Sequence, residues 1–266
     1  MIRPEGYQPQ ADLFEVLHNA KESGHPVNAV VAGIDYPDGT PTWLLTFLDL
    51  PGVKGLVPSS ETGLGDPKLL PRFVGQQVRV IVKGVDRENA LAACSRREAV
   101  AAAEEALKAQ LKEGQALDAV VRAVLPRDEE AGKPARVVVD IGGGVLAELP
   151  RREAEVSAAM PLAAQYPPGK QVRVVVKSVE PLSIGLAPGP DPWERADFKR
   201  GQFLACTVVM VAGRIVFLEP DLAPGVVGIA PAPLRGVVSR GDRLACVVAA
   251  FDGKAKKLRL RIRGRA

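Results

Sequence analysis

The chain has 266 residues, of which 47% are hydrophobic and 25% charged, a composition typical of a globular domain protein. No uninterrupted apolar stretch approaches the roughly 20 residues of a membrane helix. Residues 1–24 contain acidic side chains and no apolar core segment. We therefore expect no secretory signal and no membrane partner. We expect the protein to be cytoplasmic.

The basic charge of the chain is concentrated at its C-terminus. The net charge is +4, but residues 251–266 hold seven basic side chains and one acidic one, so residues 1–250 carry −2. An electrostatic attraction for anionic polymers is therefore predicted for the C-terminal segment and not for the chain as a whole.

The first predicted element is a leader helix within residues 1–23. Leu13, Phe14 and Leu17 share one helical face, and Gly24 is typical of a helix end.

Three sequence blocks then recur three times in the same order, with a period of about 90 residues. The first block is GHPVNAVVAGI, GQALDAVVRAV and GQFLACTVVMV, beginning at residues 24, 114 and 201. The second is PGVKGLVP, GGVLAELP and PGVVGIAP, beginning at 51, 143 and 224. The third is GQQVRVIVKGVD, GKQVRVVVKSVE and GDRLACVVAAFD, beginning at 75, 169 and 241.

Each block predicts a β-strand, because β-branched residues dominate and Gly, Pro or Asp mark the ends. Further strands are predicted at 43–50 and 90–95, at 135–141 and 182–186, and at 214–219 and 257–262. Five short strands per repeat are typical of an OB-type Greek-key barrel. The predicted fold is mainly β, with three tandem five-stranded OB-type barrels at 24–95, 114–187 and 201–266.

Two unlike linkers join these repeats. Residues 96–113 are rich in Ala, Glu, Leu and Lys, and Glu104 precedes Lys108 by four residues, which predicts a linker helix. Residues 188–200 are rich in proline, which predicts a stiff, non-helical joint.

The cysteines carry no sign of a disulfide or metal site. Cys94, Cys206 and Cys246 are far apart and lie in apolar runs, so we expect buried thiols. No spacing typical of a metal centre, catalytic triad or paired acid is visible, and we expect neither a cofactor nor enzymatic activity.

The chain resembles the tandem S1-motif proteins of the bacterial small ribosomal subunit. In that family a motif ends with a Ser-Arg-Arg or Ser-Arg-Lys step before a helix, as Ser95-Arg96-Arg97 does here. GLVPSSE at 55–61 and VVVDIGGG at 137–144 are similar to the family's second and third strands. The resemblance implies an OB-fold ribonucleoprotein that binds single-stranded mRNA and attaches to the small ribosomal subunit in translation.

The resemblance also implies that the three repeats differ in their ability to bind RNA. Many RNA-binding S1 motifs carry aromatics on strand two and a His at the end of strand three. The His position is occupied by Pro58, Pro150 and Pro231. The aromatic position matches Phe47 in repeat one, Val138 in repeat two and, ambiguously, Phe217 in repeat three. Repeats one and three are therefore predicted to contact RNA, and repeat two to be a spacer or a protein-binding module.

The candidate RNA-binding residues are of two kinds. Stacking on bases is predicted for Tyr36, Trp43, Phe47 and Phe217, with core packing as the alternative for Trp43 and Phe47. Phosphate contacts are predicted for the basic residues Lys54, Arg72, Lys83, Arg151, Arg152, Lys257, Arg259, Arg261 and Arg263. Period-two alternation with Leu258, Leu260 and Ile262 places the last four on one strand face, about 6.6 Å apart. The alternative for this row is a solvated strand edge whose charges prevent aggregation.

Two functions remain open from the sequence. The first is a non-enzymatic RNA-binding protein. The alternative is a protein-interaction or structural protein of tandem OB folds whose RNA affinity is weak or lost, as the sparse aromatics and the missing His suggest.

Overall fold

The structure is a computed structural model that describes residues 13–48, 50–233 and 236–266, without the side chain of Leu13. Within these residues fifteen strands form three five-stranded sheets. The chain divides into two compact units, and both include parts of repeat two. The first runs to Leu125 and includes Val138–Leu149 and Pro168–Ile184; the second comprises Pro126–Val137, Pro150–Pro167 and Gly185–Ala266.

Repeat one is a closed barrel with the strand order β1-β2-β3-β5-β4. Its strands are β1 (Val27–Asp35), β2 (Thr42–Phe47), β3 (Lys54–Pro58), β4 (Gln77–Asp86) and β5 (Leu91–Ser95). Parallel pairing of β3 with β5 closes the barrel, and every other pairing is antiparallel. The predicted five-stranded OB-type barrel is confirmed for this repeat.

The leader forms helix α1 (Leu13–Ser23), whose Leu17 is fully buried in the core of the first barrel. Phe14 is partly buried against the same core. The predicted helix is therefore confirmed from Leu13 onward, and residues 1–12 of the predicted leader lie outside the described residues.

Repeat three is a second closed barrel with the equivalent order β11-β12-β13-β15-β14. Its strands are β11 (Phe203–Ala212), β12 (Ile215–Pro220), β13 (Gly228–Pro231), β14 (Arg243–Asp252) and β15 (Lys257–Arg265). Its core contains Cys206 and Cys246, and the first barrel buries Cys94. The prediction of buried thiols is confirmed, since all three cysteines are buried and free.

Repeat two departs from the predicted third barrel. Its strands are β6 (Ala116–Leu125), β7 (Arg136–Asp140), β8 (Leu146–Pro150), β9 (Gln171–Ser178) and β10 (Ser183–Leu186). They form an open sheet of order β10-β9-β6-β7-β8, so the two edge strands do not join in the described residues. The edge strand β10 has only four residues, whereas β15, which closes the last barrel, has nine.

Short helices and 3₁₀ turns connect these sheets. The linker helix is confirmed as α2 (Arg96–Lys108), with Ser95 as its N-cap, and Glu104 pairs with Lys108 at 2.8 Å. The remaining helices are α3 (Arg151–Ala154), α4 (Leu162–Gln165) and α5 (Pro192–Arg195), and the 3₁₀ turns are Pro37–Gly39, Ser59–Glu61 and Pro67–Phe73.

The Pro-rich linker was predicted to be non-helical, and this is wrong for α5. Asp191 caps this single helical turn by accepting a hydrogen bond from the Trp193 amide, and Pro192 occupies a first-turn position that needs no amide donor. The Trp193 ring stacks on Phe251 of the third barrel, 6.3 Å between centroids.

Candidate nucleic-acid interface

The C-terminal strand β15 has the predicted alternation over most of its length. Leu258 and Leu260 are buried, while Lys257, Arg259 and Arg261 are exposed. Apolar side chains thus anchor the strand in the barrel and direct three cations outward.

Arg263 does not continue this alternation. Cys246 of β14 pairs with Ile262, but the neighbouring Ala245 pairs with Gly264, so Arg263 lies at a β-bulge. A bulge leaves its extra residue unpaired and redirects its side chain. Lys257, Arg259 and Arg261 thus form a regular row on one face, and Arg263 at the bulge is exposed as well, so its place in the predicted row of four stays a prediction.

An aromatic and an aliphatic side chain lie beside these cations on the outer surface of the third barrel. Phe217 of β12 pairs with Ile229 of β13, which pairs with Arg259 of β15. Directly opposed side chains of an antiparallel pair, such as Phe217 and Ile229, lie about 4.5–5.5 Å apart between Cβ atoms. Phe217 points outward because its neighbours Val216 and Leu218 are both fully buried.

The row continues around the barrel in both directions. Met210 of β11 pairs with Phe217, and Ala250 of β14 pairs with Arg259. Met210 and Ile229 are 49% and 42% exposed, so the row presents apolar surface beside the arginine. We call these five residues the outer row of the third barrel: Met210, Phe217, Ile229, Arg259 and Ala250.

A second aromatic side chain lies on the other side of β15. Phe203 is 72% exposed and pairs with Val247, which in turn pairs with Arg261. Strands are about 4.8 Å apart, so Phe203 and Phe217 each lie about two strand spacings from the strand that carries the arginines. Phe203 is not among the residues predicted from the sequence to contact RNA, although its place before the alternating run LACTVV is typical of an outward-facing residue.

A groove of about 470 Å³ follows this surface. Its lining contains Arg214, Arg259 and Arg261, together with the exposed Ile215 and Ile229, and no acidic residue. None of the three arginines pairs with a carboxylate in the described part of the chain. The groove therefore combines apolar surface with uncompensated positive charge, as a ligand with flat bases and phosphates requires.

In the first barrel, the stacking role predicted for Trp43 and Phe47 is wrong. The two rings do share a strand face, but it is the inner one, and they are 0% and 2% exposed. The Trp43 indole donates its Nε1 hydrogen to the carbonyl of Leu70 at 3.1 Å and packs on Phe73. Rings enclosed in this way offer no face to a base.

The positions of the first barrel that correspond to the outer row are all small or aliphatic. Equivalent strand pairings join Gly33 to Leu44, Leu44 to Leu56, Leu56 to Ala93 and Ala93 to Gly84. This set contains neither an aromatic ring nor a cation. The two barrels thus share one fold while presenting different chemistry on the same face.

The other predicted contacts lie apart from the outer row. Tyr36 is 62% exposed beside the turn Pro37–Gly39, and Lys54 and Arg72 are exposed on the first unit. Lys83 is engaged by Glu98 at 2.9 Å and Arg151 by Glu155 at 2.6 Å. Arg152 lies 3.8 Å from Glu153. RNA contacts by these six residues stay predictions.

The described residues were also compared with the chemistry that a metal centre or a reactive thiol requires. No cluster of three His, Cys, Asp or Glu side chains that could hold a metal ion is found among them. Burial raises the pKa of the Cys94 thiol to about 12, which keeps it protonated and unreactive at neutral pH. None of the described helices is long and apolar enough to cross a membrane.

Comparisons with known proteins give distant structural similarity only. No protein-family model matches the chain, and no curated protein matches it significantly. A multidomain protein with nucleic acid binding domains from Streptococcus pneumoniae is 15% identical, with a TM-score of 0.26 over 91% of this chain and 74% of that one. The Drosophila Unr CSD456 structure is 9% identical, with a TM-score of 0.20 over 57% of this chain and 62% of that one. At these scores neither similarity bears on function.

Proposed function

We propose that this chain is a non-enzymatic nucleic-acid-binding protein that holds single-stranded RNA on the outer face of its third barrel. The observation that carries the proposal is the adjacency of Phe217, Ile229 and Arg259 on three neighbouring strands. Bases of a single strand stack on aromatic rings, while arginines neutralise the phosphates between them. A duplex would keep its base faces stacked and unavailable for such contacts.

The first barrel and the open sheet of repeat two act as spacers or protein-binding modules in this proposal. The first barrel lacks rings and cations at the positions of the outer row, and Lys83 and Arg151 are already engaged by carboxylates. The sequence resemblance to tandem S1-motif proteins extends the proposal to cytoplasmic mRNA and to the small ribosomal subunit as partners in translation.

The test is a salt titration of RNA binding with a charge-reversal variant. Fluorescence anisotropy with a single-stranded RNA oligonucleotide is measured at several salt concentrations for the full chain and for Arg259→Glu/Arg261→Glu. Each phosphate contact to a single strand contributes about −0.7 to the slope of log K against log salt. We expect the variant to bind weakly and to lose about 1.4 from the magnitude of its slope.

The matched control is Lys112→Glu/Arg127→Glu, which makes the same change in net charge at exposed positions outside the third barrel. It should change affinity far less and leave the slope nearly intact. An unchanged slope in Arg259→Glu/Arg261→Glu would refute the interface. No binding of RNA by the unmodified chain at micromolar concentration would favour the protein-interaction alternative. Equal affinity for single-stranded DNA would support the interface but contradict a preference for RNA.

A further inference from the structure

A second basic pocket lies in the first compact unit, whereas the RNA face proposed above belongs to the second. A cavity of about 420 Å³ is bounded by the outer surface of the first barrel, by helix α2 and by repeat two. Its polar lining consists of Asn28, Gln77, Arg79, Arg96, Arg122 and Asp140. Pockets of this size accommodate small-molecule ligands.

Arg96 is the most deeply buried charge of the pocket, with only 2% of its surface exposed. Its Nη1 donates to the carbonyl of Thr62 and its Nη2 to the carbonyl of Gly144, each at 2.8 Å. Burial lowers the pKa of Arg96 to about 10, so the guanidinium remains charged at neutral pH. Both acceptors are neutral carbonyl groups, which orient the guanidinium without compensating its charge.

Asp140, the one carboxylate of the lining, accepts hydrogen bonds from Arg122 and from backbone amides, and none from Arg96. Its Oδ2 accepts from Nη2 and Nε of Arg122 at 2.7 and 3.2 Å. Its Oδ1 accepts from the backbone amides of Gly142 and Gly144 at 2.9 and 3.2 Å. The buried part of the lining therefore contains two guanidinium groups, those of Arg96 and Arg122, and one carboxylate, so its net charge is +1.

Arg79, an exposed member of the lining, adds a further positive charge to the pocket. It is exposed on β4 opposite Asn28 of β1, and no carboxylate in the described residues pairs with it. The lining thus carries a net charge of about +2, and uncompensated charge in a partly desolvated site is unfavourable. A bound group with two negative charges would neutralise the charge of the lining, whereas a single carboxylate would neutralise only half of it.

We infer that this pocket binds a phosphate group carried by a ligand of nucleotide size. Guanidinium groups match phosphate oxygens in both geometry and charge. The amides of Asn28 and Gln77 lie in the same lining and supply neutral donors and acceptors for the remainder of the ligand. The phosphate can belong to a free nucleotide or to the end of an RNA chain.

The test is isothermal titration of the full chain with inorganic pyrophosphate and with a nucleoside 5′-monophosphate. The Arg79→Ala variant removes an exposed charge, so its fold should be unaffected. We expect it to weaken pyrophosphate binding by about tenfold or more, since bonds to charged groups are among the stronger ones. Lys112→Ala, which removes an exposed cation of the same unit outside the lining, should bind like the unmodified chain.

Two further measurements distinguish binding at this pocket from binding at the RNA face. They also distinguish a free nucleotide from the end of an RNA chain as the ligand. The Arg259→Glu/Arg261→Glu variant should bind pyrophosphate normally, even if it has lost RNA. In that variant, binding of a 5′-phosphorylated but not a 5′-hydroxyl oligonucleotide would assign the site to RNA ends; binding of the mononucleotide alone would assign it to free nucleotides. Absence of pyrophosphate binding at millimolar concentration, or equal affinity in Arg79→Ala, would overturn the inference.

Discussion

Phe217 and Leu44 occupy the same place in two barrels of one fold, and both are half-buried on the outer surface. The difference between them is the aromatic ring. If RNA lies across the outer row, the ring of Phe217 supplies a stacking surface and Leu44 supplies none. This pair of residues separates an effect on binding from an effect on the barrel.

We expect Phe217→Ala to weaken single-stranded RNA binding by about 1–3 kcal/mol, the range for loss of one stacked base. Leu44→Ala removes a comparable amount of half-buried apolar surface from the first barrel and should leave RNA affinity unchanged. Anisotropy titrations at fixed salt measure both, and thermal unfolding checks that the two variants lose similar stability. Equal loss of RNA affinity in the two variants would contradict the assignment of binding to the third barrel.

Trp43 and Phe47 illustrate the limit of residue-level reasoning. Alternation correctly predicts that they share a strand face, because side chains alternate with a period of two. It cannot predict whether that face is the inner or the outer one, since a shift of one residue in register exchanges the two. The burial of both rings is decided by the pairing of β2 with β1 and β3.

Among the secondary-structure elements, helix α2 and the turn between β7 and β8 depend on each other. Gly143 of this turn has φ +62°, and a Cβ built on it would lie 2.4 Å from the Cβ of Ala103 on the helix. This distance is far shorter than any ordinary contact. The turn and the helix can approach only because both side chains at this point are minimal.

We expect Gly143→Ala to destabilise the first unit by about 1–3 kcal/mol through overpacking, beyond the left-handed backbone cost of roughly 1–2 kcal/mol. Gly132→Ala is the matched control, since Gly132 has φ +63° but open space around its Cβ position. Urea unfolding of the full chain measures both variants. Similar losses of unfolding free energy in the two variants would show that the helix does not constrain the turn. Adding Ala103→Gly to Gly143→Ala should restore part of the lost stability.

At the scale of the whole molecule, the three cysteines report on the two compact units separately. Cys94 lies in the core of the first barrel, and Cys206 and Cys246 lie together in the core of the third. A buried thiol reacts with a labelling reagent only when the surrounding structure opens. Each unit therefore contains its own chemical probe.

We expect all three thiols to resist labelling in the native chain and to become reactive as urea unfolds it. Cys206 and Cys246 should share one midpoint, and Cys94 should follow the unfolding of its own unit. Pulsed thiol labelling with mass spectrometry of the peptides measures these midpoints. Different midpoints for Cys206 and Cys246 would contradict a single cooperative third barrel.

The sequence by itself determined the order of the elements. Internal repetition, Gly and Pro punctuation and local alternation are properties of neighbouring residues, so they predicted the strands, helix α2 and the outward cations of β15. They also predicted that the repeats are unequal in their content of rings and basic side chains.

Only the tertiary structure decided which residues meet. Phe217, Ile229 and Arg259 come from three separate strands, and their adjacency depends on barrel closure, which local patterns do not encode. The open sheet of repeat two likewise depends on pairing between distant strands. Arg96 and Asp140 come together because helix α2 packs on the β7–β8 turn, a long-range contact that no single segment specifies.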